Sequence, residues 1–281
     1  MIQAKLDWSQ VELIIDNALQ EDIGSGDMTT ELLIVQDTKC KAIIMAKEDG
    51  VAAGIPVAER VFKKLDENII WNQKKREGEA LKSGDILAEI EASARIILTG
   101  ERLALNFLQR VSGIASLTSR FVKAVDGFSV KIVDTRKTAP GLRILDKYGV
   151  SVGGGYNHRF GLYDGILIKD NHIRVAGGIT QAVELIHKRI KAESKIEVET
   201  STLEEVKEAL SAGADVIMLD NMSIEVMRQA LEMIDRKALT EASGGINLEN
   251  VRNVAETGVD FVSIGALTHS ARALDIGLYM L

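Results

Sequence analysis

KIEVETSTLEEVKEALSAGADVIMLD, residues 195–220, contains a complete strand, helix, strand unit. KIEVET is a short β-like run. Thr202 and Glu205 then form a capping box, and Leu203, Val206, Ala209 and Leu210 fall on one face of a helix. Gly213 sits where that helix should stop. DVIMLD is a second apolar run, and Glu199 and Asp220 close the two runs with carboxylates. Working outward, the same unit recurs. KIVDT, GILIKD, KIEVET, DVIMLD, LTEASG and DFVSIG are spaced by 35, 30, 21, 23 and 21 residues, counted from Asp134, Lys169, Glu199, Asp220, Ser243 and Ile264. Helical stripes fill the gaps: Ile224, Met227 and Leu231, then Leu248, Val251, Val254 and Ala255, closed by Gly258. Strands alternating with helices predict a parallel sheet. The roughly 150 residues involved fall short of the ~250 of eight β/α units, so the expectation is an incomplete parallel β/α barrel of about six strands.

The first third reads differently. A helix is expected over Trp8–Gln20 with Asp7 or Ser9 as its cap, then a turn over Gly24–Thr30. Strands are expected at Cys40–Ala46, Ile69–Trp71 and Ile86–Ile90, and a helix at Pro56–Leu65. GEALKSGDILAEIEA (78–92) alternates about a turn at Ser83–Asp85, and a helical stretch runs over Thr99–Val125. The expected division is a small α+β domain over 1–105 and the barrel over 106–281, with the last residues able to pack back on the first domain.

Composition narrows the function. The 281 residues carry a formal net charge of -7, with 46% hydrophobic and 27% charged residues, the balance of a soluble enzyme. An acidic chain is a poor partner for a phosphate backbone, so sequence-independent nucleic-acid binding is not expected. The single cysteine, Cys40, allows neither an internal disulfide nor a thiolate metal cluster. No signal-peptide pattern opens the chain and no apolar run approaches the roughly 20 residues that span a bilayer, so the expected location is cytoplasmic, without a membrane partner.

In a β/α barrel the chemistry sits at the carboxyl ends of the strands, and each run here ends in a capable residue. Thr135, Arg136, Lys137 and Thr138 follow the first run, and Lys169, Asp170, Asn171 and His172 the second. A glycine triplet, Gly153–Gly155, and the pair His158 and Arg159 lie between them. Crowding cations in an acidic chain costs energy unless an anion neutralises them, so a polyanionic ligand is expected. Arg136 and Arg159 can grip carboxylates bidentately, whereas Lys137 and Lys169 act as point charges. Glu199 and Asp220, on neighbouring runs, suit either Mg²⁺ or a general acid/base pair, and the cations favour the metal. The small-residue turns Ser243, Gly244, Gly245 and Ile264, Gly265, Ala266 suit phosphate held by backbone N–H groups. His158 and His172 are open between structural hydrogen bonding and acid chemistry. His187 reads as a surface residue, and His269 as a stabiliser of the last turn. The GxSxG, HExxH and Walker patterns are absent.

EDIGSGDMTT, ERLALNFLQRVSGIA, DTRKTAPGLR, GGGYNHRFGLYDGILIKDNH, KIEVET, IMLDN, EASGGI and VSIGALTHS together resemble the quinolinate phosphoribosyltransferases, in family order and across nearly the whole chain. Arg272 stands where the family often has proline. The resemblance implies an N-terminal sandwich domain, an incomplete barrel, a Mg²⁺ requirement and homodimers with sites shared between subunits, with or without further assembly. It implies condensation of quinolinate with phosphoribosyl pyrophosphate to nicotinate mononucleotide, pyrophosphate and carbon dioxide, in de novo NAD biosynthesis. It also implies that Arg102 (from the neighbouring chain), Thr135, Arg136, His158, Arg159 and Lys169 surround quinolinate. Lys137, Asn171 and His172 would face the pyrophosphate, Glu199 and Asp220 the metal and ribose, and Ser243–Gly245 and Ile264–Ala266 the 5′-phosphate. Lys137, Glu199 and Asp220 are the catalytic candidates. Two alternatives remain: a related transferase acting on nicotinate or another aromatic acid, and a non-catalytic barrel that senses phosphosugars.

Overall fold

The computed structural model describes residues 5–36, 38–190 and 194–281. In chain order its elements are α1 (Trp8–Ile23), α2 (Met28–Leu33), β1 (Lys39–Ala46), β2 (Gly50–Val51), α3 (Ile55–Leu65), β3 (Ile70–Gln73), β4 (Ala80–Leu81), β5 (Ile86–Ser93) and α4 (Ala94–Ala124). There follow β6 (Lys131–Val133), α5 (Arg143–Val152), β7 (Ile166–Ile168), α6 (Asp170–Ala176), α7 (Ile179–His187), β8 (Ile196–Thr200), α8 (Leu203–Ala212) and β9 (Val216–Asp220). The chain ends with α9 (Ile224–Ile234), β10 (Leu239–Ser243), α10 (Val251–Ala255), β11 (Phe261–Ser263), α11 (Ala266–His269) and β12 (Ile276–Met280). No helix among the described residues is long and apolar enough to cross a membrane.

The chain forms two compact units. One contains residues 3–119, 138–154 and 267–281. Its antiparallel sheet has the order β12-β1-β5-β3. Along β1 the buried residues Ala42, Ile44 and Ala46 alternate with more exposed ones, the period expected when one sheet face is covered. α3 buries Val57, Ala58, Val61 and Phe62. Residues 138–154 are tied into this unit by Asp146, which is fully buried. Its carboxylate accepts from Nε and Nη2 of Arg110 on α4, each at 2.8 Å, and from the backbone N–H of Ala139 at 2.9 Å.

The other unit contains residues 120–137 and 155–266. All six expected runs are strands of one six-stranded parallel sheet, ordered β6-β11-β10-β9-β8-β7. The sheet is a partial barrel, as anticipated. On the free edge of β6, Tyr156 adds a parallel bridge to Val133. That bridge brings residues 157–159 beside residues 134–137. β9 is buried along Val216–Leu219, which fits a parallel strand covered on both faces. α8 behaves as its sequence requires: Thr202 accepts from the N–H of Glu205 at 3.2 Å, and Gly213 ends the helix at φ 85°. The Glu205 side chain, however, accepts from the N–H of Ser201 rather than that of Thr202, at 2.6 Å.

Candidate active site

The candidate residues of the barrel unit gather at the carboxyl ends of its strands. Thr135, Arg136 and Lys137 follow β6, and the Thr135 hydroxyl accepts from the N–H of Lys137 at 3.0 Å, turning the chain sharply there. Asp134, buried just before them, holds the neighbouring segment with both oxygens. Oδ2 accepts from Nδ2 of Asn157 at 2.6 Å, and Oδ1 from the N–H of His158 at 2.9 Å. The loops carrying Arg136 and Arg159 are thereby fixed to each other.

Two guanidiniums meet in this corner. Arg159 is anchored by Nη1 donating to the carbonyl of Gly165 at 3.0 Å. Burial lowers its pKa, and the charge of Arg136 lowers it further. Nε of Arg136 is buried with no hydrogen-bond partner among the described residues. Like charges held together in a partly dry corner, with a donor left over, define a place for an anion.

Lys169 sits just before α6 and pairs with Glu199 at 2.5 Å. Its backbone N–H donates to Nδ1 of His172 at 3.0 Å, while the side chains of Asn171 and His172 stay exposed. Glu199 is near the end of β8, and Asp220 ends the adjacent β9. Nδ2 of Asn221 donates to Asp220 at 2.9 Å. Gly244 follows β10 at φ 87°, and a Cβ there would stand 2.2 Å from Oδ1 and 2.9 Å from the backbone nitrogen of Asn221. Only glycine lets these two strand-end loops approach. Ile264, after β11, donates its N–H to the carbonyl of Val133 at 3.0 Å, and Gly265 and Ala266 lead into α11. His187 is exposed at the end of α7, and His269 is exposed with Nδ1 2.6 Å from the Ser270 hydroxyl. Arg102, in the other unit, is exposed on α4.

A buried acidic pair, Glu197 and Glu241, lies near these cations and is not marked by any motif in the sequence. Nε2 of His158 lies 2.9 Å from Oε2 of Glu197 and 3.7 Å from Oε2 of Glu241. Oε1 of Glu197 and both oxygens of Glu241 lack close hydrogen-bond partners among the described residues, the Ser263 hydroxyl making only a loose contact with Glu241. Burial and the neighbouring Glu197 push the pKa of Glu241 up to about 8. The period of two marks their face but not their burial: Glu197 precedes Glu199, and Glu241 precedes Ser243, by two residues on one strand, so each pair shares a face. The three side chains are close enough to hold a metal ion. The hydrogen bonding opposes it. Nδ1 of His158 accepts from the N–H of Arg159 at 2.8 Å, so the ring proton is on Nε2, the atom that would have to coordinate. Glu199 and Asp220 are hard oxygen donors on adjacent strand ends and carry no ring proton, although Glu199 would have to exchange Lys169 for the ion.

Comparison with known proteins bears on the family and the fold. Residues 27–112 match the family described as quinolinate phosphoribosyl transferase, N-terminal domain, and residues 114–279 its C-terminal domain. A Bacillus subtilis protein, "probable nicotinate-nucleotide pyrophosphorylase [carboxylating]", is 45% identical over 96% of this chain and 93% of its own. A Nicotiana glauca protein, "quinolinate phosphoribosyltransferase [decarboxylating] 2, mitochondrial", is 41% identical over 94% of this chain and 80% of its own. The crystal structure of nicotinate-nucleotide pyrophosphorylase from Ehrlichia chaffeensis superposes with a TM-score of 0.94 at 44% identity, covering 99% of this chain and 100% of that one.

Proposed function

The chain belongs to the quinolinate phosphoribosyltransferase family, and on that premise we propose how the strand ends of its barrel divide the work. The enzyme joins quinolinate to phosphoribosyl pyrophosphate and releases nicotinate mononucleotide, pyrophosphate and carbon dioxide, a step of de novo NAD biosynthesis. The observation that carries the division is the pairing of Arg136 with Arg159, with a buried donor of Arg136 left unpartnered. A dicarboxylate answers that arrangement, because each guanidinium can take one carboxylate in a fork. Lys169 adds a third cation once it leaves Glu199, Thr135 supplies a hydroxyl, and His158 lies beside Arg159.

Lys137, Asn171 and His172 serve the pyrophosphate, and the turns Ser243–Gly245 and Ile264–Ala266 the 5′-phosphate. Glu199 and Asp220 fit Mg²⁺, which keeps water and substrate phosphates as its other ligands. Bound there, the ion would offset charge developing on the leaving pyrophosphate. The pocket holds the ring nitrogen in line with C1 of the ribose. The new N–C1 bond forms as the C1–O bond breaks, the pyrophosphate oxygen keeping the electron pair. Loss of the 2-carboxylate as carbon dioxide then leaves an electron pair at C2, which the adjacent quaternised nitrogen stabilises until C2 is protonated. No covalent nucleophile is needed.

The active unit is a homodimer in which Arg102 completes the partner's site. Arg95, Thr99 and Arg102 are spaced to share one face of α4. The first two hold α2: Arg95 donates to the carbonyls of Glu31 and Ile34, and Thr99 to Asp27. α2 and the residues after it expose Met28, Leu32, Leu33 and Val35, each at least 75% accessible, which favours a protein partner on that face. Steady-state assays with quinolinate and nicotinate side by side test the substrate reading. Quinolinate should be turned over and nicotinate, with one carboxylate for two arginines, poorly or not at all. Equal turnover of both would assign the cations elsewhere.

A further inference from the structure

The buried acids Glu197 and Glu241 have no role in the scheme above. Burying carboxylates with few hydrogen bonds is costly: among the described residues Oε1 of Glu197 has no partner, and the Glu241 oxygens have only a loose contact with the Ser263 hydroxyl. Such a cost points to a task other than stability. Both acids face one group, Nε2 of His158. The opposite ring nitrogen accepts from the N–H of Arg159, a proton that cannot leave. The ring is therefore neutral, with its proton on Nε2 donated to Glu197. The backbone N–H of His158 is held separately by Asp134.

We propose that Glu197 and Glu241 are positioning residues that act through His158: they fix the imidazole as its Nε2–H tautomer, and the ring in turn fixes the backbone of Arg159 beside Arg136. His158 on this view does not grip substrate as a cation. A ring turned over, or carrying its proton on Nδ1, would face the Arg159 N–H with a C–H or N–H group and release that residue. The two acids make Nε2 the favoured site of the proton, Glu197 by a hydrogen bond and Glu241 by its charge or dipole 3.7 Å away. Because Arg159 belongs to the quinolinate pocket, the proposal rests on the substrate assignment for that pocket, but the tautomer can be observed without any substrate.

The chain has four histidines, so a long-range proton–nitrogen correlation spectrum of the histidine-labelled full chain can be resolved, with His158→Asn identifying the resonance. The wild type should show His158 as the neutral Nε2–H form. Glu197→Ala should mix the tautomers and raise KM for quinolinate roughly tenfold, with kcat and KM for phosphoribosyl pyrophosphate changed less than about threefold. Glu197→Gln, whose amide oxygen accepts the same N–H, should restore both readouts. Glu241→Gln should shift the tautomer balance less than Glu197→Ala. An imidazolium or Nδ1–H form in the wild type would overturn the proposal. So would an unchanged tautomer in Glu197→Ala, or an equal loss in every kinetic constant. If quinolinate were not a substrate at all, the kinetic arm would be blank in the wild type while the spectrum still decided the tautomer.

Discussion

Arg136 is the residue whose geometry bears most directly on substrate choice. Its planar fork, next to Arg159, matches a carboxylate in a way that an ammonium cannot. Arg136→Lys keeps the charge and loses the fork, so quinolinate binding should weaken by about 1.5–3 kcal/mol in calorimetric titration, while phosphoribosyl pyrophosphate is affected much less. Equal losses would put Arg136 in the other subsite. Glu241 gives a second prediction at this scale. Its pKa rises from an ordinary 4.5 to about 8. Between those values the folded chain holds a proton that the unfolded chain has released, so this residue's contribution to stability falls as pH rises through that interval. Glu241→Gln removes the titration. Its denaturation midpoint should exceed that of the wild type at pH 8.5, and the gain should shrink towards pH 5. A difference independent of pH would contradict the buried-acid reading.

Among the elements, strand ends were legible where an apolar parallel run gives way to polar residues, as β9 does at Asp220, while β8 runs one residue past Glu199 to Thr200. Helix stops were legible where glycine takes positive φ, as at Gly213 and Gly258. Short elements were not. Gly24–Thr30 was expected to be a turn, yet α2 begins at Met28, because Asp27 accepts from the N–H of Thr30 at 3.0 Å and caps six helical residues too few to show a period. Acids inside strands were also passed over, since alternation marks a face without saying that an acidic side chain on it is buried. At this scale Gly244→Ala forces a Cβ against Asn221, so it should cost about 1–3 kcal/mol of stability and raise KM for phosphoribosyl pyrophosphate. A variant as stable and as active as wild type would show that the loop yields. Asp220→Asn should raise the Mg²⁺ concentration needed for half-maximal rate and lower turnover, with binding of quinolinate alone largely intact. An unchanged Mg²⁺ titration would move the metal elsewhere.

For the whole molecule, the repeat of strand and helix disclosed the partial barrel, because six successive strand and helix units admit few other folds. The membership of residues 138–154 in the first unit was not legible. It depends on the pairing of Arg110 with Asp146, a contact between residues 36 positions apart that no local pattern announces. Assembly is tested by mixing Arg102→Ala with Lys137→Ala and allowing subunits to exchange. Sites shared across a dimer should recover about a quarter of wild-type activity, since half the dimers are mixed and each carries one intact site. No recovery after proven exchange would put Arg102 outside the partner's site.

In the proposed scheme, paired guanidiniums at the barrel mouth hold a dicarboxylate for phosphoribosyl transfer and decarboxylation. Quinolinate labelled in its 2-carboxyl group, incubated with the enzyme, Mg²⁺ and phosphoribosyl pyrophosphate, measures it most directly. Labelled carbon dioxide and nicotinate mononucleotide should form in equal amounts, both dependent on phosphoribosyl pyrophosphate and both lost in the double variant Arg136→Ala, Arg159→Ala. Nucleotide formed without release of the label, or full activity in that double variant, would contradict it.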